Sequence, residues 1–529
     1  MRSYLLKFFS LKNSFVKKTN VSDYILCHFT NITIFRCDRI SLAAMKALSL
    51  LGVSHMDILE ILGKINKVLW GPPSLILLFG TGLFLTFVLK GLQFRRLIYA
   101  FKIGFGKEDS KDAAAEGDVS HFKALMTALA ATIGNGNIAG VATALTLGGP
   151  GSIFWMWVVG LLGMATKYAE ALLAVKFRVK NEKGEYSSGP MYYIERGLGR
   201  RFKGLAIAFA LFGAFAALGI GNSVQSNTIA DITKNSFGIE NWVTGLILVI
   251  LVSVIIFGGI QRISTVASFF VPIMAFLYMG GAILILILNY DKIIPAFELI
   301  FYYAFHPVAA AGGFLGIAVS EAVRNGVSRG IFSNEAGLGT AALIAGNARA
   351  DHPVKQALVA MTGTFIVTIV VCTMTGLTLI ITGFWDPSGG LISGVAHNAS
   401  LEGGALTSAA FASVLGAAGE YIVSLSVIFF GFSTIVGWYV YGEKCFEYLA
   451  GSKGIAGYRL VYILACGIGT VANLVTVWAF ADMANALMMI PNLIAILLLW
   501  KVIKAETNDY FHHFYEHTKS AGPPSKPIH

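Results

Sequence analysis

The chain has 529 residues, of which 56% are hydrophobic and only 13% are charged. Many separate apolar runs of about 20 residues in such a composition are typical of a polytopic α-helical membrane protein. The net charge of +11 does not indicate a nucleic-acid partner, because lysine and arginine cluster in short loops between apolar runs; the expected partner is the lipid bilayer.

Residues 1–55 differ from the rest of the chain, because they hold eight basic and two acidic residues together with Ser, Asn and Thr. We interpret them as a poorly organised extension, or as sequence translated from upstream of a true start at Met56. A transit peptide is the alternative. Residues 56–115 are predicted to hold one transmembrane helix, at about 73–90, and a basic cytoplasmic loop.

A core of ten further transmembrane segments is predicted within residues 116–504, which makes about eleven helices in all. The sixth core segment is too polar to be a plain span. Residues 505–529 are predicted to form a cytoplasmic tail. The ten segments lie at about 121–147, 151–177, 202–232, 242–257, 264–289, 312–346, 355–382, 420–441, 458–477 and 482–501.

Basic loops alternate along the chain with connections that are poor in Lys and Arg. The connection 383–419, for example, contains neither residue. Because basic loops stay in the cytoplasm, this alternation predicts an external N-terminus and a cytoplasmic C-terminus in a bacterial-type cell membrane.

The first helix of each half of the core is predicted to be broken. Gly134-Asn135-Gly136-Asn137 interrupts the first apolar run, and a Gly-rich segment, 329–339, interrupts the sixth. Five helices in each half give the halves opposite orientations. The predicted fold class is therefore an all-α polytopic membrane protein with one helix before two inverted five-helix repeats, a design that indicates transport.

The first break offers groups for an amino acid and for a cation. The backbone amides of Asn135 and Gly136 are expected to face a carboxylate, helped by the positive end of the following half-helix. The Ile133 carbonyl, the Thr132 hydroxyl and the Asn137 side-chain oxygen suit a hard cation such as Na⁺. The alternative is a helix-packing seam, since two glycines stand four residues apart here.

The second break adds polar oxygens and an aromatic ring. Ser333, with Asn334 and Glu335, would hold a substrate ammonium or a cation, and Phe332 would form a wall of the pocket. The alternative is a cytoplasmic loop with an ordinary helix N-cap at Ser333 or Asn334.

Two unbroken segments carry further candidates. Gln225 would hydrogen-bond a small polar substrate. Ser433 and Thr434 supply paired hydroxyls for Na⁺, and Trp438 a second aromatic wall. In each case the alternative is that these polar side chains only bond helix carbonyls or hold helices together.

Charged residues inside the predicted spans are interpreted as structural. Lys167 with Glu170, and Glu321 with Arg324, stand three residues apart and are expected to pair with each other or with a loop. Asp482 opens the last predicted span. A proton relay through one of these carboxylates is the alternative.

Nothing in the sequence indicates an enzyme. The histidines lack metalloprotease or triad spacing, the five cysteines lack metal spacing, and no phosphate-binding loop is present. We therefore predict a protein that is not an enzyme and that has no organic cofactor. A channel is an alternative, although no repeated filter segment or charged ring is found.

The chain resembles the alanine/glycine:cation symporter family from about Met56 to Lys504. The blocks that carry the resemblance are 70–86, GNGNIAGVATA at 134–144, 148–170, GPMYYIERGLG at 189–199, RGIFSNEAGLG at 329–339 and GWYVYGEK at 437–444. In one departure, Asn135 replaces the threonine that is usual in the family.

The resemblance implies secondary-active symport of a small neutral amino acid, typically alanine or glycine, with Na⁺. It implies that Asn135 and Gly136 meet the substrate carboxylate and that Gln225, Phe332 and Trp438 line the pocket. By the same likeness, cation sites would form at Thr132, Asn137, Ser433 and Thr434. A proton-coupled carrier is the first alternative, and a non-transporting sensor or channel is the second.

Overall fold

The computed structural model of the chain describes residues 55–106, 115–182, 184–306, 315–385, 403–472 and 475–514. The predicted N-terminal extension therefore lies outside the described residues except for His55, as do residues 515–529 of the predicted tail. Two compact units divide the chain, Met1–Lys64 and Ile65–His529. Helix α1, His55–Leu69, begins in the first unit, where Lys64 Nζ lies 2.7 Å from Glu60 Oε1.

Helices make up nearly all of the described chain. In the first half they are α2 Pro72–Val88, α3 Leu92–Arg95, α4 Leu97–Phe105, α5 His121–Thr132, α6 Ala139–Gly148, α7 Gly151–Lys176, α8 Pro190–Tyr193, α9 Lys203–Leu218, α10 Val224–Phe237, α11 Asn241–Ile256 and α12 Gly259–Leu288. A two-stranded antiparallel hairpin, β1 Val179–Lys180 and β2 Tyr186–Ser187, follows α7.

The second half is built in the same way. Its helices are α13 Ile293–Phe305, α14 Leu315–Asn334, α15 Thr340–Ala345, α16 Pro353–Thr364, α17 Thr373–Ile381, α18 Gly404–Leu415, α19 Ala417–Ala450, α20 Ile455–Gly469, α21 Val475–Leu498 and α22 Trp500–Asp509. Wider π-helical turns join α9 to α10, at Gly219–Ser223, and α16 to α17, at Phe365–Cys372.

Six helices within the described residues are long and apolar enough to cross a membrane, or up to eight if each bent pair counts as one span. They are Leu59–Val88, Gly151–Lys176, Arg200–Phe237, Gly259–Leu288, Pro353–Ile381 and Ala417–Ala450, and the bent pairs are His121–Thr132 with Asn135–Gly148 and Asp482–Leu498 with Trp500–His512. The all-α polytopic fold class is confirmed, whereas the count of eleven stays a prediction.

Both predicted breaks are present. Helices α5 and α6 meet at an angle of 65° around the Asn135–Asn137 turn. In the second half, α14 ends at Asn334 and α15 begins at Thr340, with an irregular turn between them. Helix α7 packs against α14 and α16, while α5 packs against α12 and α19, so both broken segments lie inside the bundle.

Two helices occupy segments that the sequence analysis assigned to loops. Helix α13 buries Ala296, Ile300 and Ala304 on one face and exposes Phe301 on another. Helix α18 lies in the connection that is poor in basic residues. Both are shorter than the roughly 20 residues of a membrane-spanning helix, and for this reason neither was predicted from the apolar runs.

Candidate functional site

The first break is a buried turn between two half-helices. The Ile133 amide donates to the Leu129 carbonyl at 2.7 Å and ends α5, and the Asn137 amide donates to the Gly134 carbonyl at 3.0 Å. The Asn135 side chain is only 7% exposed. Polar backbone has therefore been placed at the centre of the bundle, as the sequence predicted.

Both glycines of this turn are required by close contacts. A Cβ atom on Gly134 would lie 2.7 Å from Thr434 Oγ1 of α19, and one on Gly136 would lie 2.8 Å from Phe332 Cδ1 of α14. These distances are too short for any larger residue. The glycines thus bring Thr434 and Phe332 against the broken backbone, where both were predicted to act.

The second break is stabilised by its own side chains. Glu335 has a left-handed backbone with φ of 58°, a conformation that costs a non-glycine residue about 1 kcal/mol or more. Its Oε1 accepts a hydrogen bond from Trp438 Nε1 at 3.0 Å, and its Oε2 accepts one from Thr340 Oγ1 at 2.7 Å. Trp438 therefore contacts the second break through Glu335.

The two breaks contact each other directly. Ser333 Oγ donates to Asn137 Oδ1 at 3.1 Å, and Thr375 Oγ1 donates to the Asn137 carbonyl at 2.9 Å. Asn334 Nδ2 donates to Thr368 Oγ1 at 2.9 Å. The side-chain Nδ2 of Asn137 has no partner among the described residues. The structure therefore brings together Asn137, a predicted cation ligand, and Ser333, a predicted substrate ligand, from separate halves of the core.

Oxygen atoms converge where α5 meets α19. Ser433 Oγ and Thr434 Oγ1 donate to the Ala130 carbonyl at 3.1 Å and 3.4 Å. Carbonyl and hydroxyl oxygens are the ligands that hard cations prefer. Thr132 lies two residues after Ala130 in α5, but its hydroxyl bonds the Ala128 carbonyl of its own helix at 2.9 Å.

Gln225 is buried in α10, just after a π-helical turn. Its Nε2 donates to the Ile220 carbonyl at 3.1 Å, and its Oε1 has no partner within the described part of the chain. None of its hydrogen bonds reaches another predicted site residue. Trp438 packs on the same turn, since a Cβ on Gly221 would lie 2.3 Å from Trp438 Cβ.

Two charged side chains of α7 hold the second break. Lys167 Nζ donates to the Asn334 carbonyl at 2.8 Å. Glu170 Oε1 accepts from the Gly337 and Gly339 amides at 2.9 Å and 3.0 Å. The sequence predicted that Lys167 and Glu170 pair either with each other or with a loop. Both residues contact the loop at the second break.

Asn492 of α21 completes this arrangement, and the sequence analysis missed it. Its Nδ2 donates to Glu170 Oε1 at 2.7 Å and to the Gly337 carbonyl at 2.9 Å, and its Oδ1 accepts from the Tyr193 hydroxyl. Its signal in the sequence was an asparagine in a largely apolar helix that also holds Asp482 and Asn485. Glu321 and Arg324 form their own pair at 3.5 Å, as predicted.

The far ends of α5 and α15 are closed by a polar cluster, which we call the end closure (Glu116–Val119, Arg178 and Gly346–Arg349). The Asp118 amide donates to the Asn347 carbonyl at 2.8 Å, and the Arg349 amide donates to the Val119 carbonyl at 2.7 Å. Arg178 Nη1 donates to the Gly346 and Ala348 carbonyls at 3.1 Å and 2.8 Å, and its Nη2 to the Glu116 carbonyl at 2.9 Å.

Charges around the end closure are set by neighbouring groups. A hydrogen bond from the Tyr186 hydroxyl, together with the nearby Lys180 ammonium, lowers the pKa of Glu116. Burial of the guanidinium lowers the pKa of Arg178. The carboxylate of Glu116 therefore stays ionised near neutral pH.

A cavity of about 590 Å³ reaches the first break from the opposite side. Asn135 lies at its buried end, and the exposed side chains of Asp231 and Glu420 lie at the other. We call this cavity the vestibule. It is lined by Asn135, Ala139, Thr228, Asp231, Ile232, Asn235, Ser236, Gly404, Ala405, Ser408, Ala409, Ala412, Glu420, Ser424 and Val427. The first break is thus open on the vestibule side.

Comparison with known proteins identifies the family. The sodium:alanine symporter family matches residues 55–522. The sodium/alanine symporter AgcS of Methanococcus maripaludis is 49% identical over 457 residues, which cover 86% of this chain and 98% of that protein. The chain belongs to the sodium:alanine symporter family. The resemblance found in the sequence is therefore confirmed.

Other relatives carry different names. An uncharacterized transporter of Haemophilus influenzae is 51% identical over 458 residues, covering 86% of this chain and 97% of that protein. A probable sodium/glutamine symporter, GlnT of Bacillus subtilis, is 38% identical over 459 residues, which cover 86% of this chain and 91% of that protein. As a member of this family, the chain is a multi-pass membrane protein whose general activity is cation-coupled amino-acid symport.

Proposed function

We propose that this chain carries a small neutral amino acid, with alanine and glycine as expected substrates, into the cell together with Na⁺. The observation that carries the proposal is the direct contact between the two broken helices beside a cluster of hydroxyl and carbonyl oxygens. Ser333 and Asn137 join the breaks, and Ser433 and Thr434 share the Ala130 carbonyl. Broken helices that aim carbonyls and half-helix ends at one point are the substrate and ion sites of sodium-coupled carriers.

In this proposal the cation binds where α5 meets α19. The Ser433 and Thr434 hydroxyls would turn from the Ala130 carbonyl to the ion, and the carbonyls of Ala130 and Ile133 would complete the ligand set. Thr132 would contribute only after its hydroxyl leaves the Ala128 carbonyl. The ion would thereby stabilise the end of α5 and the turn that follows it.

The amino acid binds next to the ion. The amides of Asn135 and Gly136 would hold its carboxylate, and the Ser333 hydroxyl and Asn137 amide oxygen would lie near its ammonium. Gln225, Phe332 and Trp438 would form walls, in keeping with the contacts of Phe332 at Gly136 and of Trp438 at Glu335. An ion that orders the turn favours the substrate-binding state, and this shared state couples the two fluxes.

The orientation in the cell membrane is part of the same proposal. The loop charges favour an external N-terminus and a cytoplasmic C-terminus. The end closure would then face the cytoplasm, next to the basic residues Arg178 and Lys180, and the vestibule would open to the outside. The described conformation would accept substrate from the outside.

Coupled binding tests this function in purified protein. Titration calorimetry with alanine in NaCl and in choline chloride should show binding that is at least about tenfold tighter with Na⁺. By reciprocity, alanine should tighten Na⁺ binding by the same factor. An alanine affinity that is the same in both salts would reject sodium coupling at this site.

A proton-coupled carrier is the second candidate, because the carboxyl group of Glu335 is buried at the second break and could bind and release a proton. Alanine uptake in choline that is driven by an inward proton gradient, and lost in Glu335→Gln, would favour it. Uptake that needs Na⁺ at constant pH would exclude it.

A further inference from the structure

The β1–β2 hairpin lies between the end closure and the last turn of α19. Successive side chains of a strand point to opposite sides, and β2 uses both of them. Tyr186 faces the end closure: its hydroxyl donates to Glu116 Oε2 at 2.5 Å, and its carbonyl accepts from Asn347 Nδ2 at 2.7 Å. Ser187, the next residue, is completely buried and faces α19. The hairpin therefore connects the end closure with α19.

The contact with α19 is polar and centres on one carboxylate. Glu447 Oε2 accepts from the Ser187 hydroxyl at 2.6 Å, and Glu447 Oε1 accepts from Asn181 Nδ2 at 2.9 Å. Lys444 Nζ donates to Ser187 Oγ at 3.1 Å and lies 3.5 Å from Glu447 Oε2. The side chains of Lys444 and Glu447 are each only 5% exposed. The hairpin thus occupies both oxygens of a buried carboxylate.

The charges of α19 allow this contact to break without leaving an unpaired ion. Removing one partner of a buried ion pair is costly, because the other charge stays behind alone. Lys444 and Glu447 stand three residues apart on the same helix, so they remain paired when the hairpin leaves. The groups that separate can bond water, whereas an apolar contact would expose hydrocarbon. Such a contact suits repeated opening and closing.

The other side of the hairpin is fixed to the broken helices. Arg178, one residue before β1, donates to three carbonyls of the end closure. The Tyr186 amide donates to Asp118 Oδ2 at 3.0 Å, and the Ser188 hydroxyl donates to the Ala342 carbonyl of α15 at 2.7 Å. The hairpin also follows directly from α7. A motion that separates the broken helices from α19 would therefore carry the hairpin with them.

We propose that the hairpin is a latch, which fastens the broken helices to α19 at the end of the bundle opposite the vestibule. This end opens between Ser187 and Glu447, while the hairpin stays with the end closure. The closed latch holds the conformation in which the vestibule is open, and its release gives the substrate a path to the other side. The inference rests on the proposed symport for its purpose and adds the contact that separates during transport.

Cysteine labelling of the purified full chain in NaCl tests the latch. Val440 is buried on α19, four residues before Lys444 and so on the same face of the helix. A maleimide should react slowly with Val440→Cys. Adding Ser187→Ala should raise this rate at least about fivefold, because the closed state loses a hydrogen bond to a charged group. In mass spectrometry, tryptic cleavage after Lys444 separates the introduced cysteine from the native Cys445.

The adjacent serine supplies a matched control. Ser188→Ala removes a hydroxyl that bonds α15, on the side of the hairpin that stays together, so it should leave the labelling rate at position 440 unchanged. Ala348→Cys, buried inside the end closure, should stay slow to react in Ser187→Ala. Gel filtration checks folding. If Ser187→Ala does not fold, Glu447→Gln gives the same test, because a neutral amide accepts a weaker hydrogen bond than a carboxylate.

Three results would overturn the inference. An unchanged rate at position 440 in Ser187→Ala and Glu447→Gln would show that this contact does not close the end of the bundle. Faster labelling at position 348 and not at 440 would place the opening on the Tyr186 side of the hairpin. An equal acceleration in Ser188→Ala would mean that the stability of the hairpin controls exposure. Labelling needs no substrate, so a failure of sodium-coupled binding would reject the proposed function and leave this test intact.

Discussion

Ser433 and Thr434 are the residues on which sodium dependence is proposed to rest. Each hydroxyl lies within hydrogen-bonding distance of the Ala130 carbonyl of α5. Ser433→Ala and Thr434→Ala should each raise the Na⁺ concentration for half-maximal uptake at least about tenfold, because a hard cation loses one of few oxygen ligands.

Ser268→Ala is the control for these two variants. Its hydroxyl bonds the Thr265 carbonyl of its own helix at 2.8 Å and faces outward, so the sodium dependence should stay as in the wild type. Initial uptake rates at increasing Na⁺ provide the measurement. Equal sodium dependence in all three variants would remove α19 from the cation site.

Gln225 is expected to act on the amino acid and not on the ion. Its Oε1 is free of partners in the part of the chain that the structure describes, while its Nε2 bonds the Ile220 carbonyl. Gln225→Ala should raise the KM for the amino acid several-fold, which corresponds to the loss of one hydrogen bond worth about 1 kcal/mol, and should leave the sodium dependence unchanged. Uptake against substrate concentration measures this, and an unchanged KM would place Gln225 outside the pocket.

At the scale of single residues, the sequence predicted those whose chemistry is unusual for a membrane interior. Asn137 was predicted to bind the cation and Ser333 the substrate, because polar side chains near a helix break have no purpose in a lipid-facing helix, and the structure brings the two into contact. Asn492 was missed, because an asparagine in a largely apolar helix does not reveal which distant residue it contacts.

The broken half-helices are held in place from α7. Glu170 accepts two backbone amides of the second break and the Asn492 amide through one oxygen. Removing this acceptor leaves buried donors without a partner, at about 1–3 kcal/mol each. Glu170 is therefore a positioning residue, which orients the break without touching the substrate.

Substitution of Glu170 tests this role. Glu170→Ala should lower both the melting temperature and the maximal uptake rate, with a smaller effect on KM. Glu170→Gln, which keeps an acceptor oxygen, should restore much of both. Glu321→Gln, at an exposed ion pair, serves as the control. If Glu170→Gln is as defective as Glu170→Ala, the charge of Glu170 matters and not its hydrogen bonds.

The end closure is the second element that should govern the cycle. Arg178 bonds three carbonyls there and joins the far ends of α5 and α15. Arg178→Ala should loosen this end, so that a cysteine introduced at the buried position Ala348 reacts faster with a membrane-impermeant maleimide from the cytoplasmic side. Arg178→Lys should give an intermediate rate, and an unchanged rate in Arg178→Ala would show that the closure does not depend on this side chain.

Among the elements, the long apolar helices and both breaks were predictable. The length of an apolar run and the polar residues that interrupt it can both be read from the sequence. Helices α13 and α18 were not predicted. With 13 and 12 residues, they are shorter than the roughly 20 residues that mark a membrane span. The hydrogen bond from the Gly337 amide to Glu170 was predicted only as a contact with an unspecified loop. The spacing of residues along one helix does not identify the partner on another segment.

The whole molecule combines an open vestibule on one side of the breaks with a closed polar cluster on the other. Such an arrangement, with one side open at a time, is what alternating access around a central site requires. Large apolar side chains on α11 and α12, such as Ile250 and Phe276, point away from the bundle, as expected for surfaces that contact lipid.

Concentrative uptake tests the central claim most directly. Purified protein in liposomes is given labelled alanine with an inward Na⁺ gradient, or with choline in place of Na⁺. We expect alanine to accumulate above its external concentration with Na⁺ and only to equilibrate slowly, or not enter, with choline. Accumulation that is equal in the two salts, or absent with alanine and with glycine alike, would contradict sodium-coupled amino-acid symport by this chain.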